Sequence, residues 1–151
     1  YVPNGQSMDS DKFQYKLEWF DAVTQFVAEQ KEQYSKVVVL GDFNIAPTDD
    51  DTWDPKVWQE TVLVSHQERT ALNRLLRLGF VDSFRMFKQP QDSFSWWDYR
   101  GGSFRQNKGL RIDLVLLSSA LVESCRNSSI DKTPRSWGRP SDHAPAFVVL
   151  T

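Results

Sequence analysis

The sequence predicts an α/β layered domain, because segments with helical periodicity alternate with short apolar runs that are typical of strands. The chain has 151 residues, of which 40% are hydrophobic and 13% aromatic, so it can build a core. It contains no internal repeat, low-complexity tract or linker, which indicates one domain over residues 1–151. The predicted helices cover residues 12–33 and 65–79, and the predicted strands cover residues 36–40, 94–99, 111–117 and 146–150.

The first helix is predicted because Phe13, Phe20 and Val27 recur on one helical face. Four apolar residues, 37–40, then follow without alternation. Such a run suits a strand that is covered on both faces. A long acidic loop at residues 44–54 separates this strand from the next helix.

The second helix begins at a capping box, since Ser65 and Glu68 have the spacing that satisfies free N–H groups at a helix start. Gly79 ends it. His66 lies in its first turn and is interpreted as an exposed or capping residue rather than a catalytic one. Further along, a Gly101–Gly102 turn separates the strand predicted at residues 94–99 from the strand predicted at residues 111–117.

Charge and cysteine content limit the class of protein. A net charge of −2 does not indicate a whole-surface nucleic-acid binder, so any attraction for phosphate must be local. The single cysteine, Cys125, excludes an intramolecular disulfide and a thiolate-rich zinc site, and it fits a reducing, intracellular compartment. No stretch approaches the roughly 18 apolar residues that span a bilayer. Two basic stretches, each equally consistent with a solvated loop, contain Arg100, Arg105, Lys108 and Arg111, and Lys132, Arg135 and Arg139.

Three polar motifs lie at the ends of predicted strands, at residues 41–44 (Gly-Asp-Phe-Asn), 111–113 (Arg-Ile-Asp) and 141–145 (Ser-Asp-His-Ala-Pro). Each motif alone is common, and a Gly-Asp after a strand is often only a turn. Strand ends that converge on one edge of a sheet are, however, the usual way in which an α/β fold assembles a site. The combination therefore predicts a catalytic centre.

The residue types in these motifs suit phosphodiester hydrolysis. That reaction needs an oriented water, neutralisation of charge on the phosphoryl oxygens and help for the leaving alkoxide, usually with a hard divalent cation. Oxygen ligands favour magnesium or manganese over zinc. An aspartate bonded to the histidine ring would favour its charged form, and Asp113 is the candidate for orienting the ring. The candidate residues are Asp42, Asn44, Asp113, Asp142 and His143.

Five ordered motifs resemble those of the exonuclease III-type apurinic/apyrimidinic endonucleases, which belong to the endonuclease/exonuclease/phosphatase superfamily. They lie at residues 1–5, 41–44, 94–100, 109–113 and 141–145, so the resemblance covers essentially the whole chain. It implies a four-layer αββα sandwich and a magnesium-dependent attack of water on the phosphate 5′ to an abasic site. For bacterial members it also implies 3′→5′ exonuclease and 3′-phosphatase activities, double-stranded DNA with abasic sites or 3′ ends as partner, and a location in the cytosol or nucleoid.

The resemblance also implies roles for the catalytic residues. His143 with Asp113 would stabilise charge at the scissile phosphate, and Asp42 would bind or activate the attacking water. Asn44 would hydrogen-bond the phosphate or help to place the water. Tyr1 would contact the phosphate or stabilise the leaving oxygen.

Metal and DNA contacts follow from the same resemblance. Asp142 would lie by the metal or hold His143, with Asp42 and Asn44 as further metal ligands. An apolar pocket for a flipped-out abasic sugar would exclude a normal nucleotide by size. Its lining residues would be Trp96, Leu110 and Ile112. Arg100 and the basic loop after it would contact the DNA backbone, and Asn4 is a weaker candidate for a phosphate contact.

The chain departs from the family pattern because it begins at the tyrosine motif, so the N-terminal segment with the glutamate that is the family's main metal ligand is expected to be missing. The chain is therefore expected to be the C-terminal portion of the sandwich, with little or no nuclease activity by itself, and to associate or depend on the missing segment. Two alternatives stay open. One is a related metal-dependent phosphodiesterase acting on a lipid, phosphoinositide or RNA; the other is a non-catalytic DNA-binding fragment.

Overall fold

The computed structural model describes residues 1–151 and contains three helices and five short strands. The α/β class predicted from the sequence is confirmed. The helices are α1 (Asp11–Gln33), α2 (Pro55–Trp58) and α3 (His66–Leu76). The strands are β1 (Val38–Asp42), β2 (Phe80–Asp82), β3 (Asp113–Ser118), β4 (Cys125–Ile130) and β5 (Ala146–Leu150). Short 3₁₀ turns lie at Asp49–Asp51, Ser83–Met86, Arg100–Gly102, Ser119–Ser124 and Thr133–Ser136.

The two long helices begin within one residue of their predicted starts, and α1 ends at Gln33 as predicted, whereas α3 ends at Leu76, three residues before Gly79. Ser10 caps α1 by accepting the N–H of Phe13, and the side chains of Ser65 and Glu68 form the predicted capping box of α3. Phe20 on α1 is 1% exposed, and burying such a side chain contributes about 1.5–3 kcal/mol. Gly79 follows α3 with a φ of +90°, a conformation that glycine adopts without strain.

The central strand of the main sheet is β3, which pairs antiparallel with β1 on one side and β2 on the other. Its alternate side chains point to two clusters. Leu114 and Leu116 pack with α1 and α3, whereas Val115 and Leu117 pack with Leu121 and the second sheet. Because both faces are covered, β3 is buried from its second residue onward.

The expectation that residues 36–40 form a strand covered on both faces is wrong for this chain. The strand runs from Val38 to Asp42 and lies at the edge of the sheet, with its inner side chain Val39 packed on the helix cluster. On its outer face Val38 remains 37% and Leu40 68% exposed. The apolar run therefore forms an apolar surface that these 151 residues leave exposed.

The second sheet contains β4 and β5, which pair antiparallel with a register shift between Cys125 and Asn127. The sequence predicts β5 correctly but not β4, whose residues are mostly polar. The strand predicted at residues 94–99 is absent. Its backbone groups bond to separate loops instead, since the N–H groups of Ser95 and Trp96 both donate to Leu110 and that of Trp97 donates to Asp142.

A buried ion cluster joins the acidic loop to the sheet. Arg111 is 1% exposed and bonds to Asp51 at 2.6 Å and to Asp82 at 2.6 Å. Asp51 is fully buried and also pairs with Arg85. Assigning Arg111 to a DNA-facing basic stretch is therefore wrong, because its guanidinium neutralises two carboxylates inside the protein.

Replacing Arg111 with Met should lower the free energy of unfolding by about 3–5 kcal/mol, because a buried carboxylate then loses its main partner. Chemical denaturation measures this change. The matched control is Arg77→Met, since Arg77 is exposed just after α3. Equal midpoints for the two variants would contradict a structural role for the cluster.

Candidate active site

Three side chains from distant parts of the sequence meet at one edge of the main sheet. Asp42 ends β1 and Asp113 begins β3, and the two are direct partners across the antiparallel pair. The Nδ1 atom of His143 lies 2.8 Å from Oδ2 of Asp113, and its Nε2 atom lies 3.9 Å from Oδ2 of Asp42. The predicted convergence of strand-end motifs is therefore confirmed, with Asp113 as the bonded partner of the ring.

The surrounding carboxylates favour a protonated imidazole. Burial of the ring, the largest influence, lowers the pKa of His143, but the hydrogen bond with Asp113 and the charges of Asp113, Asp42 and Asp142 together raise it above its ordinary value. Burial also raises the pKa of Asp42, and the like charge of Asp113 adds to this effect against the hydrogen bond from the Asn44 backbone. The imidazole thus lies between two carboxylates that favour its charged form.

Asn44 is tied directly to Asp42. Its backbone N–H donates to Oδ1 of Asp42 at 2.8 Å, and its side-chain amide donates to Oδ2 at 3.1 Å and to the carbonyl of Val2 at 2.8 Å. The side chain of Asn4 donates in turn to Oδ1 of Asn44 at 3.3 Å. Asn4, Asn44 and Asp42 therefore form one connected polar row.

Tyr1 is placed beside this row by its neighbour. The N–H of Val2 donates to the carbonyl of Asp42 at 2.8 Å, so the first residue projects from the edge of the site. The Tyr1 side chain is 90% exposed. It is consequently accessible to a ligand.

A buried lysine that sequence reasoning missed supports the same row. Lys16 is 0% exposed, and its Nζ donates to the carbonyls of Asn4 and Asn44 at 3.1 and 2.6 Å and to Glu68 at 2.5 Å. Burial lowers the pKa of Lys16, while the charge and hydrogen bond of Glu68 oppose this. The available signal was its position on the face of α1 that also bears Phe13 and Phe20.

Ser95 is a second supporting residue that the sequence did not single out. Its hydroxyl accepts the backbone N–H groups of Ile112 and Asp113 at 3.1 and 3.0 Å, and its carbonyl accepts the N–H of Ala144 at 2.7 Å. Ser95 therefore holds the residue after His143 and the start of β3 together. No sequence pattern marks this buried serine.

Asp142 bonds to an aromatic ring rather than to the histidine. The indole N–H of Trp96 donates to Oδ2 of Asp142 at 3.0 Å, and the carbonyl of Asp142 accepts the N–H of Trp97 at 3.0 Å. The structure gives it no hydrogen bond to His143, although its charge raises the pKa of that ring. Of the two roles expected for Asp142, lying by the metal or holding His143, the second has no direct bond in this structure, because the carboxylate bonds to the indole of Trp96.

The three predicted pocket residues do not line one open pocket. Leu110 and Ile112 are 0% and 1% exposed, since they pack into a cluster with Ala46, Leu63 and Val64. Trp96 packs on top of this cluster and is only half-buried, so it alone presents a surface. The expectation of a pocket lined by all three side chains is corrected accordingly.

A glycine allows the aromatic residues to approach. A Cβ atom at Gly109 would lie 2.5 Å from Nε1 of Trp97 and 2.7 Å from the carbonyl oxygen of Trp96. These distances are too short for any side chain. The backbone of Gly109 therefore passes directly against both tryptophans.

Arg100 lies outside this polar row on an exposed turn. Its guanidinium pairs with Asp98, at 2.7 Å between Nη2 and Oδ2, and its side chain is 90% exposed. Exposed pairs of this kind contribute little to stability and open readily. Its contact with a DNA backbone stays a prediction.

The residues present do not by themselves fit a divalent cation. No group of three or more histidine, cysteine, aspartate or glutamate side chains has the arrangement to hold a metal ion. Asp42 also has both oxygens bonded to Asn44, and Asp142 is bonded to Trp96. Magnesium requires several well-placed oxygen ligands, so the chain supplies at most part of such a site. Separately, no helix of the chain has the length and apolar character needed to cross a membrane.

Asp113→Asn should lower the pKa of His143, because it removes the nearest negative charge. The ring's Cε1–H signal, followed by NMR against pH, measures this. In the parent chain the raised pKa means that the charged ring stabilises the fold below about pH 6.5, and that this contribution is lost as pH rises through the folded pKa. Glu123→Gln, at an exposed position, is the control with the same charge change. An unaltered His143 titration in Asp113→Asn would contradict the pairing.

Comparison with known proteins agrees with this geometry. Residues 4–143 match the model of the Endonuclease/Exonuclease/phosphatase family. Exodeoxyribonuclease III of Haemophilus influenzae is 36% identical over 156 residues, which cover 98% of this chain and 58% of that protein. The structure of a Neisseria 3′ phosphatase, NExo, bound to a product DNA hairpin, superposes with a TM-score of 0.97 at 42% identity over 100% of this chain and 59% of that one.

An AP endonuclease from Archaeoglobus fulgidus superposes with a TM-score of 0.93 at 33% identity, over 99% of this chain and 59% of that one. The chain thus spans less than two thirds of each of these relatives. The match supports the α/β class and the expectation of a portion of the sandwich. The chain belongs to the Endonuclease/Exonuclease/phosphatase family.

Proposed function

We propose that this chain is the histidine-bearing part of a DNA-repair nuclease of the exonuclease III type, which hydrolyses the phosphodiester 5′ to abasic sites. The observation that carries the proposal is the His143–Asp113 pair beside Asp42 and Asn44. The names of the relatives, an exodeoxyribonuclease III, a 3′ phosphatase and an AP endonuclease, support phosphate-ester hydrolysis in DNA. The same names support 3′→5′ exonuclease and 3′-phosphatase activities, on double-stranded DNA with abasic sites or 3′ ends.

The proposed chemistry uses the arrangement of charged side chains at the sheet edge. The oxygen of a water bonds to phosphorus as the bond from phosphorus to the preceding 3′ oxygen breaks. Asp42 accepts the proton of the water, and its pKa, raised by burial, makes it a better base than an ordinary carboxylate. The protonated ring of His143 stabilises the negative charge on the phosphoryl oxygens, while Asp113 holds the ring. The departing 3′ oxygen takes up a proton from solvent and leaves as a hydroxyl, and Asp42 afterwards releases the proton that it accepted to solvent.

Neutral donors complete the contacts to the phosphate. Asn4 and Asn44 are held in one row beside Asp42. The amide of Asn4 is exposed and can donate to a phosphoryl oxygen. Asn44 is 8% exposed and its amide already bonds to Val2 and Asp42, so its role would be to help place the attacking water through Asp42. Tyr1 is free to contact the phosphate or the departing oxygen. Asn4 and Tyr1 both bind without adding a negative charge.

Lesion recognition is assigned to Trp96. Its ring is half-buried above an apolar cluster, so a deoxyribose without its base can pack against it, as against other flat aromatic surfaces. Arg100 and the nearby basic side chains Arg105 and Lys108 lie on the exposed loop after it and suit the DNA backbone. The Arg100–Asp98 pair would open on binding.

The proposed metal is magnesium or manganese. Asp42, Asn44 and Asp142 are the side chains that would contribute oxygen ligands, and the remaining ligands come from outside these 151 residues. The ion would supply further neutralisation of phosphate charge. The incomplete set of ligands in this chain supports the expectation that it has little or no nuclease activity alone.

The open apolar surface also supports the proposal that this chain acts together with further chain of the same protein. Phe26 and Tyr34 on or after α1 are each 57% exposed, and they adjoin Leu40 of the edge strand, 68% exposed, around a cavity of about 610 Å³. Exposed apolar patches of this kind usually mark an interface. We propose that further chain of the same protein covers it, and that the 151-residue chain alone covers it by self-association.

The 151-residue chain should show little or no incision of an abasic duplex with magnesium or manganese. A chimera can be made by joining this chain to the segment of Haemophilus influenzae exodeoxyribonuclease III that the chain does not match. This chimera should show metal-dependent incision, because the added segment would supply further metal ligands and sheet strands. Sedimentation should find self-association of the chain alone and a monomeric chimera. Incision by the chain alone at the rate of the chimera would contradict the proposal.

In the chimera, His143→Ala should lower the rate of incision about 10²–10³-fold, since it removes a positioned positive group at the phosphate. The matched control is His66→Ala, because His66 is the other histidine and lies exposed at the start of α3. Its rate should equal that of the parent chimera. Full activity of the His143→Ala chimera would remove the basis of the proposed mechanism.

Trp96→Ala in the chimera should reduce cleavage of an abasic duplex more than hydrolysis of bis(p-nitrophenyl) phosphate, because only the first substrate has a sugar to pack on the ring. Trp96→Phe separates packing from the hydrogen bond to Asp142, since it keeps a ring and loses the indole N–H. Equal losses on both substrates would instead favour a phosphodiesterase that acts on a non-DNA ester.

A further inference from the structure

Arg135 does not belong to an exposed basic surface. It lies in the 3₁₀ turn Thr133–Ser136 and is only 7% exposed, although the sequence places it between Lys132 and Arg139. An arginine is seldom buried without a partner for its charge. No carboxylate pairs with its guanidinium, so its role must come from other contacts.

Aromatic rings surround the guanidinium. Its central carbon lies 4.7 Å from the ring centre of Phe104, 5.7 Å from that of Tyr99 and 5.8 Å from that of Trp97. Its Nε is buried and has no oxygen or nitrogen partner. Ring faces attract cations and accept N–H groups weakly, which explains how the charge is tolerated. The same three rings enclose the guanidinium and limit its movement.

The fixed guanidinium reaches the candidate catalytic motif. Nη1 of Arg135 donates a hydrogen bond to the carbonyl oxygen of Ser141, the residue before Asp142 and His143. Tyr99 adds a second bond, from its hydroxyl to the carbonyl of Pro140 at 2.8 Å. Two successive backbone carbonyls are therefore held, that of Pro140 by Tyr99 directly and that of Ser141 by Arg135, whose guanidinium lies against the Trp97 and Tyr99 rings.

The next residue of the motif, Asp142, is attached to the same segment by two bonds. The N–H of Trp97 donates to the carbonyl of Asp142 at 3.0 Å, and the indole of Trp96 donates to its carboxylate at 3.0 Å. His143 then projects to Asp113. Arg135 thus lies at the start of a continuous row of contacts that ends at the imidazole.

We propose that Arg135 is a positioning residue, whose guanidinium, held by Trp97, Tyr99 and Phe104, sets the place of Asp142 and His143 through the Ser141 carbonyl. This inference rests on the proposed function for its catalytic consequence, but the contact itself can be tested without turnover. An arginine suits the position because its planar group stacks on rings while one N–H points along its plane, which a lysine cannot reproduce. A displacement of about 1 Å in a catalytic group can reduce a rate about 10²-fold.

The first test is hydrogen exchange of the Trp96 indole N–H in the 151-residue chain, followed by NMR. Arg135→Met should speed this exchange about tenfold or more, because the loop that holds Asp142 opens more often. Arg135→Lys should also speed it, since charge alone does not replace the stacked fork, and this variant remains informative if Arg135→Met does not fold. Arg139→Met, in the same loop and exposed, should leave it unchanged.

Unfolding free energies of the same proteins separate positioning from general stabilisation. A purely structural role predicts a lower unfolding midpoint with unchanged indole exchange under native conditions, and that result would overturn the proposal. So would full rescue of exchange by Arg135→Lys. Faster exchange in both variants with a normal Arg139→Met protein supports it.

The second test is steady-state incision by the chimera. Arg135→Met should lower kcat about 10²-fold and leave KM within a few-fold, because the residue acts on the placement of reacting groups and not on DNA binding. Faster indole exchange with an unchanged kcat would overturn the catalytic part of the inference. If the parent chimera has no activity, the proposed function fails, while the exchange measurement still decides whether Arg135 positions Asp142.

Discussion

The pairing of Asp42 with Asp113 across β1 and β3 is the constraint on which the rest of the site depends. Two carboxylates placed directly opposite each other on neighbouring strands repel, and here both are also partly removed from water. The imidazole of His143 lies between them and offsets this repulsion. The strand register, the raised pKa values of Asp42 and His143 and the place of the last loop are therefore parts of one electrostatic arrangement.

The supporting residues explain how this arrangement persists. Lys16 fixes the two loops that carry Asn4 and Asn44. Ser95 fixes the backbone at Asp113 and at Ala144, the residue after His143. Each is buried and bonds to backbone groups, so each acts on the path of the chain rather than on a ligand. A small polar site on an edge thus rests on a larger number of interior polar contacts.

The sequence identified the elements with strong local signals and the residues with chemical character. One capping box, helical periodicity and the final apolar run were sufficient for α1, α3 and β5, and the strand-end motifs located Asp42, Asp113 and His143. It failed where long-range contacts decide the outcome. The polar β4 is a strand only because it pairs with β5. Residues 94–99 look like a strand but bond to two loops, and Arg111 and Arg135 look exposed but are buried by partners distant in sequence.

Gly109 shows a different kind of limit on this sequence. Its backbone needs no unusual torsion, yet even a methyl group there would overlap an indole nitrogen and a carbonyl oxygen. Gly41 is the opposite case, with a φ of +140° and open space around it. Volume alone therefore excludes a side chain at position 109, so a residue that offers no functional group still limits which amino acids the candidate site can tolerate beside it.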